Sequence, residues 1–396
     1  MAKAKRGSTK RKRGQRQDPS ELRDFRVILD LPEALAMLLR ELLHVSKANW
    51  TFLMDRIRQH KAGQNPIYLE WSKSKGPGKG RRHFAAPCSE LKFVQQAILN
   101  QLLLAVPVHF VRHGGRRGSS ILTAAETHLG AKSALSIDLV NAFPTVHRSR
   151  VKGCLKTIWE GRCRMFRAHG LRSEDEELML EALVDLVTFK ECLPQGAPTS
   201  PQLLDIVCYG LDEEIYGLLV QASTPFSRFT FTFYVDDAVI SSRDSAIPDE
   251  VREAVLAAIK KHGFIAHTRA DKCVYYSPET GTVPIVHGLV LTRDGRLTIA
   301  PGRVNSLRAR LDRLFRKPEL NAEDIGLLAG TLGFIRQVYP GNIPAKLRKY
   351  VECAKQRLEA ERNNAPVTIV TDIPSPEEDQ AEDGGDTGQM VEEAVA

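Results

Sequence analysis

Several signatures are missing from this sequence. It has no Cys-x-x-Cys pair, and no Cys/His cluster has zinc-finger spacing, although Cys88, Cys154, Cys163, Cys192, Cys208, Cys273 and Cys353 are spread along it. That points away from a zinc module and toward reduced thiols in a cytosolic protein. No apolar run reaches the roughly 18 residues of a membrane span. A cytoplasmic chain with no membrane partner is therefore expected. The first residues are basic but lack the apolar stretch of a signal peptide. No internal repeat of solenoid period is present.

Charge of one sign is missing from each end. Residues 1–16 carry eight basic side chains and no acid, whereas after Arg362 there is no basic residue at all. Neither end has the apolar surface to offset the entropy of ordering, so a disordered basic arm (1–20) and a disordered acidic tail (363–396) are expected. The arm reads equally well as an RNA-binding or a solubilising segment. The formal net charge of +8 over 396 residues suits a polyanionic partner, and the body between the ends is more basic than that total implies. A chain this long has room for two or three packed lobes.

Between the ends, leucines at helical spacing from Leu31 to Leu43 predict helix within 21–60. The Gly- and Lys-rich stretch Lys73–Arg82 reads as a basic loop between two strands. Ser89 is a candidate N-cap for an amphipathic helix carrying Leu91, Val94, Ile98, Leu102 and Leu103. Residues 134–140 alternate as a strand, with Leu135, Ile137 and Leu139 on one face and Ser136 and Asp138 on the other. The segment Leu193–Pro201, with three prolines and a glycine, cannot be regular helix. Phe229–Val235 reads as a strand with Phe229, Phe231, Phe233 and Val235 on one face. Ala238–Ser242 returns beside it, with Asp236-Asp237 at the tip. Gly263 is placed to end a helix over 249–262, short strands are expected near 272–276 and 285–291, and Asp294-Gly295 signals a turn. The pattern from Val304 to about Glu361 is helical again. Helices, a strand-rich centre and further helices indicate an α+β fold.

Two adjacent carboxylates at a strand tip repel each other and oppose strand propensity. A divalent cation would repay that, and hard oxygen ligands suit Mg²⁺. An exposed Asp-Asp turn is the plainer reading of Asp236-Asp237 alone. The pair is not alone, however. Asp138 also lies on the polar side of an apolar strand, followed by Leu139-Val140-Asn141-Ala142-Phe143, and Leu193-Pro194-Gln195-Gly196-Ala197-Pro198-Thr199-Ser200-Pro201 lies between. Phosphoryl transfer by two metals needs carboxylates brought to one point from separate strands.

A strand Asp, a Gln-Gly loop and a Tyr234-Val235-Asp236-Asp237 hairpin, in that order, resemble the reverse-transcriptase palm. The resemblance implies a right-hand polymerase: N-terminal helices and fingers over 21–133, a palm with an antiparallel sheet over 134–300 carrying a helical insertion near 150–192, and a helical thumb over 301–362. It implies an RNA-directed DNA polymerase using two Mg²⁺ ions and dNTP substrates. Asp138 and Asp236 would bridge both ions, Asp237 would take a lesser supporting role, and a backbone carbonyl near Leu139 would complete one metal shell. Phe143 falls where the family places a bulky group that clashes with a ribose 2′-OH. Gln195 and Gly196 would lie against the incoming nucleotide and template base, with Gly permitting close approach. Lys272 falls where the family has a lysine near the triphosphate. Lys79, Arg81 and Arg82 fall where the fingers bind it, and guanidinium suits phosphate best.

Within that family the chain resembles the bacterial retron enzymes over roughly residues 65–350. Ala124-Ala125-Glu126-Thr127-His128 is similar to an Asn-Ala-x-x-His element but lacks the Asn, and Val286-His287-Gly288 is similar to a Val-Thr-Gly with His for Thr. This resemblance implies a cognate structured non-coding RNA, priming from a 2′-OH, a branched RNA–DNA product (msDNA), a separate effector protein and a part in antiphage defence. His128, Val286, His287, Gly288 and Arg308 become candidate RNA contacts, with other thumb cations such as Arg303, Arg316 and Lys317. No ribonuclease H, integrase or protease extension is evident. An intron-like, CRISPR-associated or diversity-generating reverse transcriptase stays open beside the retron reading, as does an RNA-binding scaffold with a relic palm.

Overall fold

The computed structural model describes residues 24–74, 80–116, 118–167, 170–225, 227–268, 273–277 and 283–363, without the side chains of 162–166. The basic arm, nearly all of the acidic tail, Lys79 and Lys272 lie outside the described residues. The chain forms two compact units: the residues up to Val108 with Asn141–Val207, and His109–Val140 with the residues from Cys208 onward. Residues 109–133 thus fall in the second unit and 141–207 in the first.

In the first unit the leucine-rich stretch is three helices, Arg26–Leu29, Glu33–Leu42 and Lys47–Lys61. Pro32 immediately precedes the second, and His44 at φ 54° ends its run. Ser46 caps the third by accepting the Asn49 N–H at 3.2 Å. Strands β1 (Tyr68–Ser74) and β2 (Arg81–Pro87) pair antiparallel as expected. Ser89 is not an N-cap. The helix Ser89–Ile98 starts at Ser89 after Cys88, and its hydroxyl donates to Glu90 instead. Helices Arg148–Arg167 and Ser173–Val187 pack together. Arg148 binds both Glu181 (2.7 Å) and Asp185 (2.8 Å), and Asp185 also accepts the Ile28 N–H.

The second unit is built on a four-stranded antiparallel sheet in the order β4–β5–β3–β6, with β3 (Ser133–Asp138), β4 (Phe229–Tyr234), β5 (Asp237–Ser242) and β6 (Cys273–Tyr276). The apolar side of β3 is buried at Leu135, Ile137 and Leu139, while Ser136 and Asp138 are half-buried on the other, as the alternation predicts. Helices Tyr209–Ala222 and Asp249–Lys261 pack together, the latter followed by Gly263 at φ 77°. Strands β7 (Ile285–Val286), β8 (Leu289–Leu291) and β9 (Leu297–Ile299) form a second antiparallel sheet, with Gly295 at φ 78° in the turn before β9. They share a hydrophobic core with helices Pro301–Phe315, Ala322–Val338 and Ala345–Arg362 and with Ala125 and Val239. No core boundary therefore falls at residue 300. No disulfide links the described cysteines, and no described helix is long and apolar enough to cross a membrane.

Candidate active site

The three aspartates meet at one end of the central sheet, and backbone pairing puts them there. Asp138, the last residue of β3, lies directly opposite Asp237, the first of β5. The Leu139 N–H donates to the Asp236 carbonyl at 2.9 Å, so the chain just beyond β3 is bonded to the hairpin tip itself. On the other side the Asp138 carbonyl accepts the His267 N–H at 2.8 Å. All three residues are half-buried.

The tip differs from expectation at Val235. The strand ends at Tyr234, and Val235 turns into the left-handed region at φ 61°, a conformation that costs a β-branched residue about 1–3 kcal/mol. Buried neighbours hold it there. The edge of β4 is covered by residues 111–113: Phe233 N–H donates to Val111 at 2.7 Å and His113 N–H to Phe233 at 2.8 Å. Arg112 donates to the Val235 carbonyl at 3.1 Å. It also makes a two-pronged ion pair with Asp212 (2.7 and 2.6 Å) and lies 3.9 Å over the Phe233 ring. Both charged side chains are fully buried, and burial pushes the Asp212 carboxyl up against the pull of Arg112. Gly114 completes the brace, since a Cβ there would sit 2.5 Å from the Val235 nitrogen. Sequence reasoning missed Arg112, Gly114 and Asp212. Arg112 and Asp212 are 100 positions apart, and no local pattern connects them.

Asp237 is held by its own set of contacts. The Ser136 hydroxyl donates to its Oδ1 at 3.2 Å, and His287 Nδ1 lies 2.9 Å from its Oδ2. His128, expected as an RNA contact, is instead wholly buried. Its Nδ1 bonds Ser241 at 2.7 Å and its Nε2 bonds Thr232 at 2.8 Å, joining β5 to β4. Burial, reinforced by the neighbouring His287 and His113, pushes its pKa down to about 3. Val286 and Arg308 are buried too, with the Arg308 guanidinium 5.3 Å over the Tyr350 ring. Gly288, at φ 79°, is packed against Arg303, which turns inward to donate to the His287 carbonyl. Arg316 pairs with Asp312 and Lys317 with Asp324.

The other candidates lie in the first unit. Lys190 and Glu191, both left-handed (φ 51° and 63°), make a tight turn closed by Phe189 and Cys192 just before the Gln-Gly loop. The Gln195 carbonyl accepts the Ala85 N–H of β2 at 2.9 Å. Gly196, at φ 134°, approaches Ala85 so closely that a Cβ would lie 3.0 Å from its carbonyl oxygen. Phe143 is 9% exposed in the short helix Ala142–Thr145. Arg81 is pinned along its strand by two bonds to Ser72, whereas Arg82 is exposed and in register with Lys73.

Among the described residues no three His, Cys, Asp or Glu side chains already converge as a closed metal site. A pair of strand-end carboxylates nevertheless suits Mg²⁺, which takes one or two carboxylates together with substrate phosphates and keeps several waters.

A strand aspartate facing an Asp-Asp hairpin on an antiparallel sheet defines a polymerase palm. Residues 72–287, more than half the chain, match the family described as reverse transcriptase (RNA-dependent DNA polymerase). The chain belongs to that family and is an RNA-directed DNA polymerase. Its curated relatives narrow the type. It is 30% identical over 342 residues to the retron Mx162 reverse transcriptase of Myxococcus xanthus, covering 82% of this chain and 67% of that one. It is 26% identical over 264 residues to the retron Ec86 reverse transcriptase of Escherichia coli, covering 67% and 74%. The retron Mx65 reverse transcriptase of M. xanthus is 29% identical over 279 residues, covering 69% and 62%. The chain is thus a reverse transcriptase of the bacterial retron type.

Proposed function

We propose that this chain copies its own structured non-coding RNA into a branched, RNA-linked single-stranded DNA by two-metal nucleotidyl transfer. The observation that carries the reading is the register of Asp138 against Asp237, with Asp236 bonded to the chain beside them. Asp138 and Asp236 are the residues that would hold two Mg²⁺ ions. When bound, such ions activate the attacking hydroxyl and stabilise the oxygen that leaves the α-phosphate. The chain's own part is to fix the carboxylates, through sheet pairing and the brace on Val235, before substrate arrives.

Arg81, Arg82, Lys79 and Lys272 are proposed to bind the triphosphate. Gln195 and Gly196 are proposed to bind the nascent base pair, and Phe143 to reject ribonucleotides. Synthesis from an internal 2′-OH, action in the cytoplasm, a separate effector protein and a role against phage belong to the same proposal.

The test is extension of a primer on an RNA template with dNTPs and Mg²⁺. Asp138→Asn and Asp236→Asn should each lower the rate by about a thousandfold, the worth of several kcal/mol of charge stabilisation, with RNA binding retained. Extension by either variant at the wild-type rate would sink the assignment. Sequencing the nucleic acid that co-purifies tests the product: a branched RNA–DNA species is expected, and linear cDNA or intron RNA would count against the retron product.

A further inference from the structure

We infer that Asp24 is a positioning residue for nucleotide binding: from the segment before the first helix it fixes the Lys190–Glu191 turn, and through that turn the stance of Gln195 and Gly196 against the β1–β2 hairpin. The inference rests on the nucleotide-binding role proposed above for the Gln-Gly loop and deepens it. All of these residues belong to the first unit.

Lys190 is held from two sides. Its backbone N–H donates to Asp24 Oδ2 at 3.0 Å, across 166 positions of sequence. Its ammonium lies 2.9 and 3.0 Å from the two carboxylate oxygens of Glu70 on β1. Glu70 is the cross-strand partner of Ala85, the residue whose N–H donates to the Gln195 carbonyl. One rung of the hairpin is thus tied to this stretch twice, at Lys190 and at Gln195. Between the ties the Leu193 N–H donates to the Val146 carbonyl at 3.2 Å. Pro194 has a fixed φ, and its carbonyl accepts from the Ser200 hydroxyl at 2.7 Å. A shift of the turn is therefore passed on to Gln195 rather than absorbed.

The turn needs support from outside. Two-residue hairpin turns with both residues left-handed favour Asn-Gly, and here Lys and Glu fill them at φ 51° and 63°. Asp24 holds the Lys190 N–H, and the Arg148 N–H holds the Glu191 carbonyl at 2.8 Å. Asp24 is itself anchored. Phe25 beside it is fully buried with its ring edge-on to His60, and Asp185 accepts the Ile28 N–H.

Stability does not account for this carboxyl. Asp24 is 3% exposed, and burial pushes its pKa up to about 6. The Lys190 N–H and Arg148 pull it down, while Glu191 and Asp185 push it further up. The Cys192 thiol and the Tyr68 hydroxyl are its other titratable neighbours. An acid whose folded pKa lies above its ordinary 3.8 favours the folded chain below that value and loses the benefit as pH rises through about 6. Near neutrality the ionised Asp24 therefore costs stability, and a neutral asparagine would serve the fold better. What the carboxylate supplies is a charge-assisted bond to the Lys190 N–H, stronger than a neutral one.

The test is single-nucleotide extension by the full-length protein on a primed RNA template, titrated with dNTP. Asp24→Ala should raise the KM for dNTP about tenfold, the worth of one hydrogen bond, with kcat within about twofold of wild type. Asp24→Asn keeps an acceptor but not the charge. It should raise KM about threefold at about pH 8, with a urea midpoint at least as high as that of wild type. As pH falls to about 5.5 the wild-type Asp24 becomes neutral too, so the ratio of the two KM values should fall toward one. Taking the ratio cancels the titration of the nucleotide and of its metal. Glu191→Gly, which favours the left-handed turn unaided, should return the KM of Asp24→Ala to within about threefold of wild type.

Wild-type KM in both Asp24 variants, a ratio that does not move with pH, or no rescue by Glu191→Gly would each overturn the inference. Should Asp24→Ala not fold, the pH-dependent ratio of Asp24→Asn decides alone. Gln195→Ala separates this inference from the reading beneath it. A wild-type KM in that variant removes the loop as a nucleotide site. A raised KM there, beside wild-type values in the Asp24 variants, removes only the role of Asp24.

Discussion

Val235 and His128 show how single residues serve the hairpin at opposite ends of its length. Val235 gives up strand geometry so that Asp236 and Asp237 can leave the turn together, and Gly114 is the small residue that lets the chain pass beside it. His128 bonds both ring nitrogens to the hydroxyls of Thr232 and Ser241 while fully buried, and that burial disfavours the charged imidazolium. This has a pH consequence. Folding pushes the His128 pKa from its ordinary value of 6.5 down to about 3, so the unfolded chain takes up a proton that the folded chain refuses. Stability from this residue is fully present above 6.5 and is lost as pH falls toward 3. Between pH 7 and pH 5 the loss should be about 2 kcal/mol. Urea titrations at the two pH values measure it. The gap in stability between wild type and His128→Gln should narrow by that amount at pH 5, and a constant gap would show that His128 does not control the acid response.

At the scale of the element, the β4–β5 hairpin would be a marginal ribbon by itself. It is made rigid by β3 on one side and by residues 111–113 on the other. The Arg112–Asp212 pair is the centre of that second support. Breaking it one-sidedly, as in Arg112→Met, leaves Asp212 as an uncompensated buried charge and should cost about 3–5 kcal/mol in denaturant unfolding. Replacing both partners, Arg112→Met with Asp212→Leu, should recover most of that stability but not primer extension, because the Val235 carbonyl has still lost its donor. A double variant as unstable as the single one would refute this account. The hairpin also marks the limit of what could be read from sequence. Alternation revealed β3, β4, β5 and the aspartates at their ends, because period-2 burial is a local signal. It placed Val235 on the strand, however, since nothing local announces a left-handed valine held by a distant arginine. It also leaves His128 and Arg308 as candidate RNA contacts, because a polar side chain satisfied in the interior looks the same in sequence as one reaching for a ligand. The Ser89 cap failed for a related reason, its hydroxyl having a closer partner in Glu90.

For the molecule as a whole, the two units divide the candidate residues. The carboxylates, His128 and the β7–β8 turn lie in the second unit, and the Gln-Gly loop, Phe143 and the β1–β2 hairpin in the first. The chain passes between them at Val140–Asn141, directly after the strand that carries Asp138. Charge is divided too. Inward-facing Arg303, Arg308 and Arg112 and the paired Arg316 and Lys317 are committed to the protein, so the excess of positive charge available to an RNA is smaller on the folded body than a count of residues implies. That shifts weight onto residues 1–16, whose eight cations have no acidic neighbour within the segment. If the arm engages RNA phosphates, each contact releases counterions and contributes about 0.7–0.9 to the slope of log K against log salt concentration. Removing residues 1–16 should then lower the magnitude of that slope by several units and weaken binding most at low salt, with kcat on a saturating primed template unchanged. Binding of the cognate RNA measured from 50 to 300 mM salt, roughly the range over which such contacts dominate, decides between the two roles left open for the arm. A slope that does not change on truncation makes it a solubilising segment and returns RNA recognition to the folded units.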